Sequence, residues 1–556
     1  MPSEQIVMLP TDLHLLSVAA EMFPFVKTGG LGDVAASLPN ALRHHGVRTR
    51  TLLPGYPAVL SAMTDRTEAH VFEDMLGYRV TLWEGIAQGH HLYAIEVPEL
   101  YERAGGPYLG PDGRDWPDND MRFAVLSRVA ACIAQGCLAR GSTAGWRPDA
   151  VMTHDWQAGL VAAYLHYDDN PGDRPAPPVA HVIHNMAFQG LFPREILSRI
   201  GLPDRAFTME GVEYYGKIGY MKAALQLADR LITVSPTYAE EIQTPENGMG
   251  LEGLLQARSS VLTGILNGID IQDWNPMTDR AVIFPYPIGD IAGRRANKRV
   301  FQAEFGLPQT ADTMLLGIVS RLTRQKGVDL LADIAPRLFQ SNIQLAVVGV
   351  GDADIMQRLR GLQLAYPRNL VCHLRYDETL GHRLHSAVDA SLIPSRFEPC
   401  GLTQLHALRY GSVPIAARVG GLTDTIVHAN TAAIEEGVAN GVLFSPTEGD
   451  ALYRAIRQAQ RLFQQRSVWA RLQRNGSLHD VSWHGKAGHY ARLLYRMAGR
   501  SAGKGDFDEG MAPRLSDTGS GTAPASPLAR TARMPQSRPR NPGLGRTDFP
   551  RFGTHA

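Results

Sequence analysis

The sequence is poor in cysteine, carries no excess of either charge and contains no long apolar run. Four cysteines in 556 residues (Cys132, Cys137, Cys372 and Cys400) are too few for a disulfide scaffold, and their spacing fits no zinc site. Lys and Arg total 55, as do Asp and Glu, so a formal net charge of zero gives no general reason to expect nucleic acid or an anionic membrane as partner. No stretch reaches the ~18 consecutive apolar residues of a membrane span. Residues 1–26 hold no Lys or Arg, so the positive start of a secretory signal is missing. The expectation is a reduced, cytoplasmic protein with neither nucleic acid nor membrane as partner.

What is present is an ordinary globular composition, 44% apolar and 20% charged, in a chain long enough for two large α/β domains. Short apolar runs alternate with amphipathic stretches. His14–Ala20 reads as a strand, Gly32–His45 as a helix and Val47–Leu53 as the next strand. Ala150–Thr153, Val179–His184, Arg230–Val234 and Val261–Leu266 continue the strand series, with a helix over Gln157–Tyr167. A second series runs through Met314–Ser320, Gln344–Val348, Leu370–Leu374, Ala390–Ile393 and Val413–Ala416. The helical segments Val328–Phe339, Asp354–Ala365, Thr379–Ala387 and Thr403–Tyr410 separate them. β-Branched runs bounded by Gly, Pro or Asp and separated by helices predict two doubly wound parallel sheets. Their ligand crevices lie at the carboxyl ends of the strands and face each other. Between the series, Pro276, Pro285 and Pro287 interrupt Asp270–Asn297, which reads as a hinge. Ser501–Ala556 is rich in Gly, Pro, Ser and Arg and is expected to be disordered.

Three segments carry chemistry. Lys27-Thr28-Gly29-Gly30-Leu31-Gly32-Asp33 sits between a strand and a helix, where glycines permit close approach and free amides favour a phosphate. It is neither a dinucleotide fingerprint nor a Walker A loop; its bland reading is a tight turn. Arg321 and Lys326, in Ser320–Gly327, follow the first strand of the second series and suit a diphosphate, with a solvated basic loop as the alternative. Glu398, in Ser395–Leu402, precedes a helix start whose amides are unsatisfied. It can accept from sugar hydroxyls while the Cys400, Gly401 and Leu402 amides donate, or it can simply serve as a helix-start anion. Cys400 reads as a small apolar filler, with no His nearby in sequence. His154-Asp155-Trp156 and His184-Asn185-Met186 both end first-series strands at the cleft side, and Asn267-Gly268 closes that series as a turn. Asp118-Asn119-Asp120, Asp352-Ala353-Asp354 and Asp506-Phe507-Asp508 match the short DxD pattern of metal-dependent sugar transferases; the first two read instead as helix-start carboxylates.

At these positions the chain resembles the bacterial glycogen synthases and the related plant starch synthases, from about His14 to Met497. The motifs are KTGGLGDV, HDW at 154–156, HNMAFQG at 184–190, SPTYAEEI at 235–242, LNGID at 266–270, SRLTRQKG at 320–327, SRFEPCGLTQ at 395–404 and GGLTDTI at 420–426. Met186 and Phe188 stand where Leu and Tyr are commoner. The resemblance implies a GT-B fold: a first Rossmann-like domain over 1–265, a linker over 266–297, and a nucleotide-sugar domain over 298–475. Helices over 476–499 return to the first domain, and a tail occupies 500–556.

The same resemblance implies transfer of glucose from ADP-glucose to the 4-OH end of an α-1,4-glucan, with retention of configuration and no metal or other cofactor. Lys27 and Gly30 then approach the donor, Arg321 and Lys326 hold its diphosphate, and Glu398 with Cys400, Gly401 and Leu402 orients the glucose. His184 lies beside the reacting sugar, and Asp33, Tyr108, Asp155 and Asn267 line the donor–acceptor cleft. A front-face route, in which the leaving phosphate takes the acceptor proton, is favoured over Glu398 as covalent nucleophile. A phosphorylase, a nucleotide-sugar epimerase and a non-catalytic glucan-binding protein are the competing readings. The first needs a pyridoxal-phosphate lysine that no segment supplies, and the last predicts loss of the cleft charges that this chain keeps. Oligomeric state is not legible.

Overall fold

Alternating apolar runs and amphipathic helices put each lobe around a mostly parallel sheet. The computed structural model describes residues 12–138, 146–168, 175–290 and 292–500; the expected disordered tail lies outside the described residues. In the first lobe the strands are β1 (Leu13–Val18), β2 (Val47–Pro54), β3 (Thr64–Met75), β4 (Tyr78–Ala87), β5 (His90–Glu96), β6 (Ala150–His154) and β7 (Val179–Ile183). A small antiparallel sheet of β8 (Leu191–Pro193), β9 (Glu213–Tyr214) and β10 (Lys217–Gly219) follows, then β11 (Arg230–Thr233) and β12 (Leu262–Gly264). The large sheet has the order β12-β11-β7-β6-β1-β2-β5-β4-β3. It is parallel from β12 to β5, and β4 and β3 extend it antiparallel.

The second lobe holds β13 (Met314–Val319), β14 (Ile343–Val348), β15 (Leu370–His373), β16 (Ala390–Ile393), β17 (Val413–Ala417) and β18 (Val442–Phe444), all parallel, in the order β15-β14-β13-β16-β17-β18. β14 and β16 are buried along their whole length, which is why their sequences read as uninterrupted apolar runs.

The structure differs from the sequence reading in several places. The meander β3–β4–β5 was not anticipated. β3 is an edge strand with five exposed residues at its start, and its charged positions hide the period-two pattern. Expected as one helix, Gln157–Tyr167 is a 3₁₀ turn (Trp156–Ala158) followed by the helix Leu160–His166. At the junction, a Cβ on Gly159 would lie 2.2 Å from the Tyr220 carbonyl oxygen, so only glycine fits there. The stretch Asp270–Asn297, expected to be irregular throughout, becomes helical at Ala292, beyond the last of its prolines. Arg294 and Lys298 of that helix are buried on the second lobe, with Lys298 Nζ 2.6 Å from both Asp389 Oδ2 and the Thr313 carbonyl.

After the helices Gly449–Gln464 and Arg466–Leu478 the chain crosses back. Trp483, Ala487, Tyr490, Ala491 and Leu494 enter the first lobe's hydrophobic core. The helix His484–Met497 packs on Gly30–Arg43, and Trp483 Nε1 donates to Ser37 Oγ at 2.7 Å. No helix among the described residues is long and apolar enough to cross a membrane.

Candidate active site

Both lobes present the carboxyl ends of their parallel strands to one cleft. In the second lobe, the loop after β13 carries Arg321 and Lys326, and Gly327 ends it with φ +68°. A side chain there would strike the Pro394 carbonyl, its Cβ 1.9 Å away, so glycine lets this loop lie against the loop after β16. Lys326 Nζ therefore reaches both oxygens of Glu398, at 2.8 and 2.6 Å, and Ser395 Oγ donates to Oε2 at 2.8 Å. Glu398 is 6% exposed, so its charge is held by a cation and a hydroxyl rather than by water. Arg321 stays exposed, with Gln325 Oε1 at 3.4 Å from its guanidinium. Gly401, φ +72°, and Leu402 lead into the helix Thr403–Arg409. Cys400 is buried, and burial pushes its thiol up to about 12, which suits an inert filler.

In the first lobe, Lys27 Nζ lies 2.8 Å from Asp33 Oδ1 and 3.7 Å from Glu378 Oε1 of the opposite lobe. Burial, the largest single influence, would lower the Lys27 pKa, but Asp33 together with Glu378 and Tyr376 outweighs it and holds the amine charged. Gly30 begins the helix Gly30–Arg43, and a Cβ on it would sit 3.5 Å from Leu402 Cδ1, so the two predicted donor loops face each other. A residue the sequence reading missed organises this corner. Glu21, just past β1 and 3% exposed, accepts from the Thr28 amide and from Thr28 Oγ1 at 3.0 Å. The Tyr108 hydroxyl donates to Glu21 Oε1 at 3.0 Å, so Tyr108, expected to line the cleft, supports the glycine-rich loop from behind.

Asp155, with φ +51° and ψ −169°, turns its carboxylate back to the next strand end, where Oδ1 accepts from the amides of His184 at 2.7 Å and Asn185 at 3.3 Å. Burial pushes its pKa up to about 7 despite those bonds. His184 and His154 share a 2.9 Å hydrogen bond between Nε2 and Nδ1. Among the described residues Asn267 Oδ1 has no hydrogen-bond partner although it is buried, an acceptor left over for a ligand's donor. A cavity of about 650 Å³ adjoins Asp33 and Leu402 and is also lined by Asp273, Trp274, Glu378 and His406. Arg321, Lys326 and Glu398 do not line it.

Further contacts bridge the lobes: Asp424 accepts from the Thr237 amide at 3.0 Å and hydroxyl at 2.6 Å, and Glu241 Oε1 from the Gly420 amide at 2.8 Å. Of the DxD matches, Asp118 and Asp352 stand at helix starts as expected, and 506–508 lies outside the described residues.

The buried histidines give a pH prediction. Burial pushes His154 down to about 4 and His181 to about 3, and lowers His184 strongly. Unfolded, such rings titrate near pH ~6.5. The unfolded chain then binds the extra protons, so stability present above that pH is lost as pH falls toward 4. Asp155 acts oppositely, favouring the fold as pH drops from about 7. The lowered histidines, which include His90, His385 and His406, outnumber the raised carboxyls Glu21, Asp33, Asp155, Glu241 and Asp273. Calorimetry is expected to show Tm falling by at least ~5 °C between pH 7 and pH 5; a flat or rising Tm contradicts neutral buried rings.

Residues 14–257 match the family described as the starch synthase catalytic domain, and residues 302–474 match glycosyl transferases group 1. A glycogen synthase of Rhodopseudomonas palustris strain HaA2 is 51% identical over 481 residues, covering 86% of this chain and 98% of that one. The chain belongs to the glycogen synthase family. Within that family, glycogen synthase 2 of Bradyrhizobium diazoefficiens is 49% identical over 87% of this chain and 98% of its own. The catalytic domain of Arabidopsis thaliana starch synthase IV, solved bound to ADP and acarbose, superposes with a TM-score of 0.80 at 30% identity. That match spans 88% of this chain and 100% of the starch synthase chain. The family's GT-B architecture is the one described above: two parallel-sheet lobes with returning C-terminal helices. A glycogen synthase family member is a glucosyltransferase, and the cleft above is where such chemistry is to be sought.

Proposed function

We propose that the protein transfers glucose from ADP-glucose to the non-reducing 4-OH end of an α-1,4-glucan, with retention at the anomeric carbon and without a metal. The observation that carries this reading is the Lys326–Glu398–Ser395 cluster with Arg321 beside it, at the strand ends facing Gly30 and Lys27. It supports a role for the Arg321 and Lys326 cations at a leaving diphosphate and for the buried Glu398 carboxylate as an acceptor of sugar hydroxyls. In the reaction the C1–O bond to the diphosphate breaks as the bond from C1 to the acceptor O4 forms. The proton of the 4-OH passes to the departing diphosphate, so overall charge is conserved without an added base. Arg321 and Lys326 stabilise the growing negative charge, the task a bound cation performs elsewhere. Lys27 adds a third cation from the other lobe.

Preference for ADP over UDP is supported by the 30%-identical starch synthase solved bound to ADP. The assay is purified protein with either nucleotide sugar, with and without glycogen, following nucleotide release and glucan growth. ADP-glucose is expected to be the better donor, release to depend on glycogen, and EDTA to leave the rate unchanged. Activity abolished by EDTA and restored by magnesium defeats the metal-free route, and no transfer from either donor defeats the whole reading.

A further inference from the structure

Three adjacent strands, β1, β6 and β7, carry a line of hydrogen bonds from the core of the first lobe to the cleft. Ser17 Oγ lies 3.2 Å from His154 Nε2, and His154 Nδ1 lies 2.9 Å from His184 Nε2. Ser17 is 0% exposed, His154 1% and His184 9%, so the line starts in the interior and ends at the cleft wall. The backbone of His184 is independently pinned, its amide donating to Asp155 Oδ1 at 2.7 Å.

A neutral imidazole has one ring nitrogen that donates and one that accepts, and the partners decide which. Burial keeps all these rings neutral. Two arrangements satisfy the His154–His184 bond. In one, His154 Nε2–H donates to Ser17 and His184 Nε2–H donates to His154. The Ser17 hydroxyl proton then needs an acceptor of its own, yet among the described residues His154 is the sole hydrogen-bond partner of Ser17 Oγ. A hydroxyl donor left unmade in a site closed to water is costly. In the other arrangement Ser17 donates to His154 Nε2 and His154 Nδ1–H donates to His184 Nε2, so both interior protons have acceptors and only His184 Nδ1–H is left to the cleft.

We propose that Ser17 and His154 are positioning residues that lock His184 in the tautomer protonated on Nδ1, so that the ring offers the cleft a hydrogen-bond donor and not a base. The consequence for the reaction rests on the function proposed above. A His184 that donates to a sugar oxygen can orient the transferred glucose, but it cannot accept the proton of the 4-OH, which is left to the departing diphosphate. The tautomer itself does not rest on that reading.

The test uses the full chain labelled with ¹⁵N-histidine, at pH 7.5, with a long-range ¹H–¹⁵N correlation spectrum in which His184→Gln identifies the signal. His184 is expected to show protonated Nδ1 and bare Nε2; a protonated Nε2 overturns the proposal. Ser17→Ala should release His154 to turn over and shift the His184 signal toward the Nε2–H form. Its kcat should fall by roughly threefold or more, with KM for glycogen little changed. His154→Phe removes the donor at similar volume and should cost about tenfold in kcat, whereas His154→Asn, whose amide stands in for Nδ1–H, should restore most of it. Should His154→Phe fail to fold, the Ser17→Ala and His154→Asn pair decides the matter. Unchanged His184 spectra in Ser17→Ala, or equal kcat in His154→Asn and wild type alongside an unchanged Ser17→Ala, overturn it. If the protein proves unable to use ADP-glucose, the spectra still decide the tautomer, and it is the proposed function that falls.

Discussion

Replacing Lys326 with alanine is expected to lower kcat by about 10²–10³, the loss that follows removal of one preorganised charge contact to a transition state. KM for ADP-glucose should rise by much less. Two effects add at this position. The ammonium is one of the cations aimed at the leaving diphosphate, and it is also the group seated on both oxygens of Glu398. Without it, a carboxylate that is 6% exposed keeps only the Ser395 hydroxyl, and its orientation toward the sugar is lost. Arg321 is exposed and, among the described residues, holds no carboxylate. Arg321→Ala is therefore expected at the lower end of the same range, without the disturbance of Glu398. Steady-state kinetics on folded, purified variants, with circular dichroism as the control, check both. A Lys326→Ala enzyme within a few-fold of wild type removes the electrostatic argument.

Glu398→Gln is the second large effect, and its size separates two mechanisms. A covalent nucleophile is indispensable; its loss costs on the order of 10⁵ or more and leaves only the background that binding and charge contacts provide. A carboxylate that only orients the glucose costs about 10²–10³, because the amide still accepts through its remaining oxygen. The geometry favours the smaller loss: a lone pair of each oxygen is already directed at Lys326 Nζ, and Oε2 also accepts from Ser395. Single-turnover measurement with ADP-glucose, together with a search for a glucosyl adduct in the wild-type protein by intact mass, checks the result. Abolished turnover with an adduct on Glu398 would establish the covalent route.

How much of this was legible in the sequence depended on whether a residue's partners were near it in the chain. β13, β14, β15, β16 and β17 came within a residue or two of their observed ends; for all but the half-buried edge strand β15, coverage on both faces leaves apolar runs between Gly, Pro and Asp. β3 was invisible because an edge strand is written in charged residues, and β18 because Val442–Phe444 is too short to form a pattern. Lys27, Arg321, Lys326, Glu398, His154 and His184 could be picked out by position, since each ends or follows a strand. Their pairings could not. Lys326 and Glu398 are 72 residues apart, Tyr108 and Glu21 87, and His154 and Ser17 137. Glu21 carried one usable signal, a carboxylate directly past β1, but no motif drew attention to it. Thr237, Glu241, Gly420 and Asp424 all fall inside quoted motifs, yet that they clasp one lobe to the other emerges only in three dimensions.

The crossing of the last helix into the first lobe also orders events during synthesis. Trp483, Ala487, Tyr490, Ala491 and Leu494 complete an interior whose other walls, Cys400 apart, were translated more than two hundred residues earlier. While the ribosome is still extending the second lobe, the first has an open apolar seam along Gly30–Arg43, and it closes only when residues beyond 480 emerge from the exit tunnel. A premature stop near residue 480 would therefore damage the domain made first and leave the one made last with its own sheet intact.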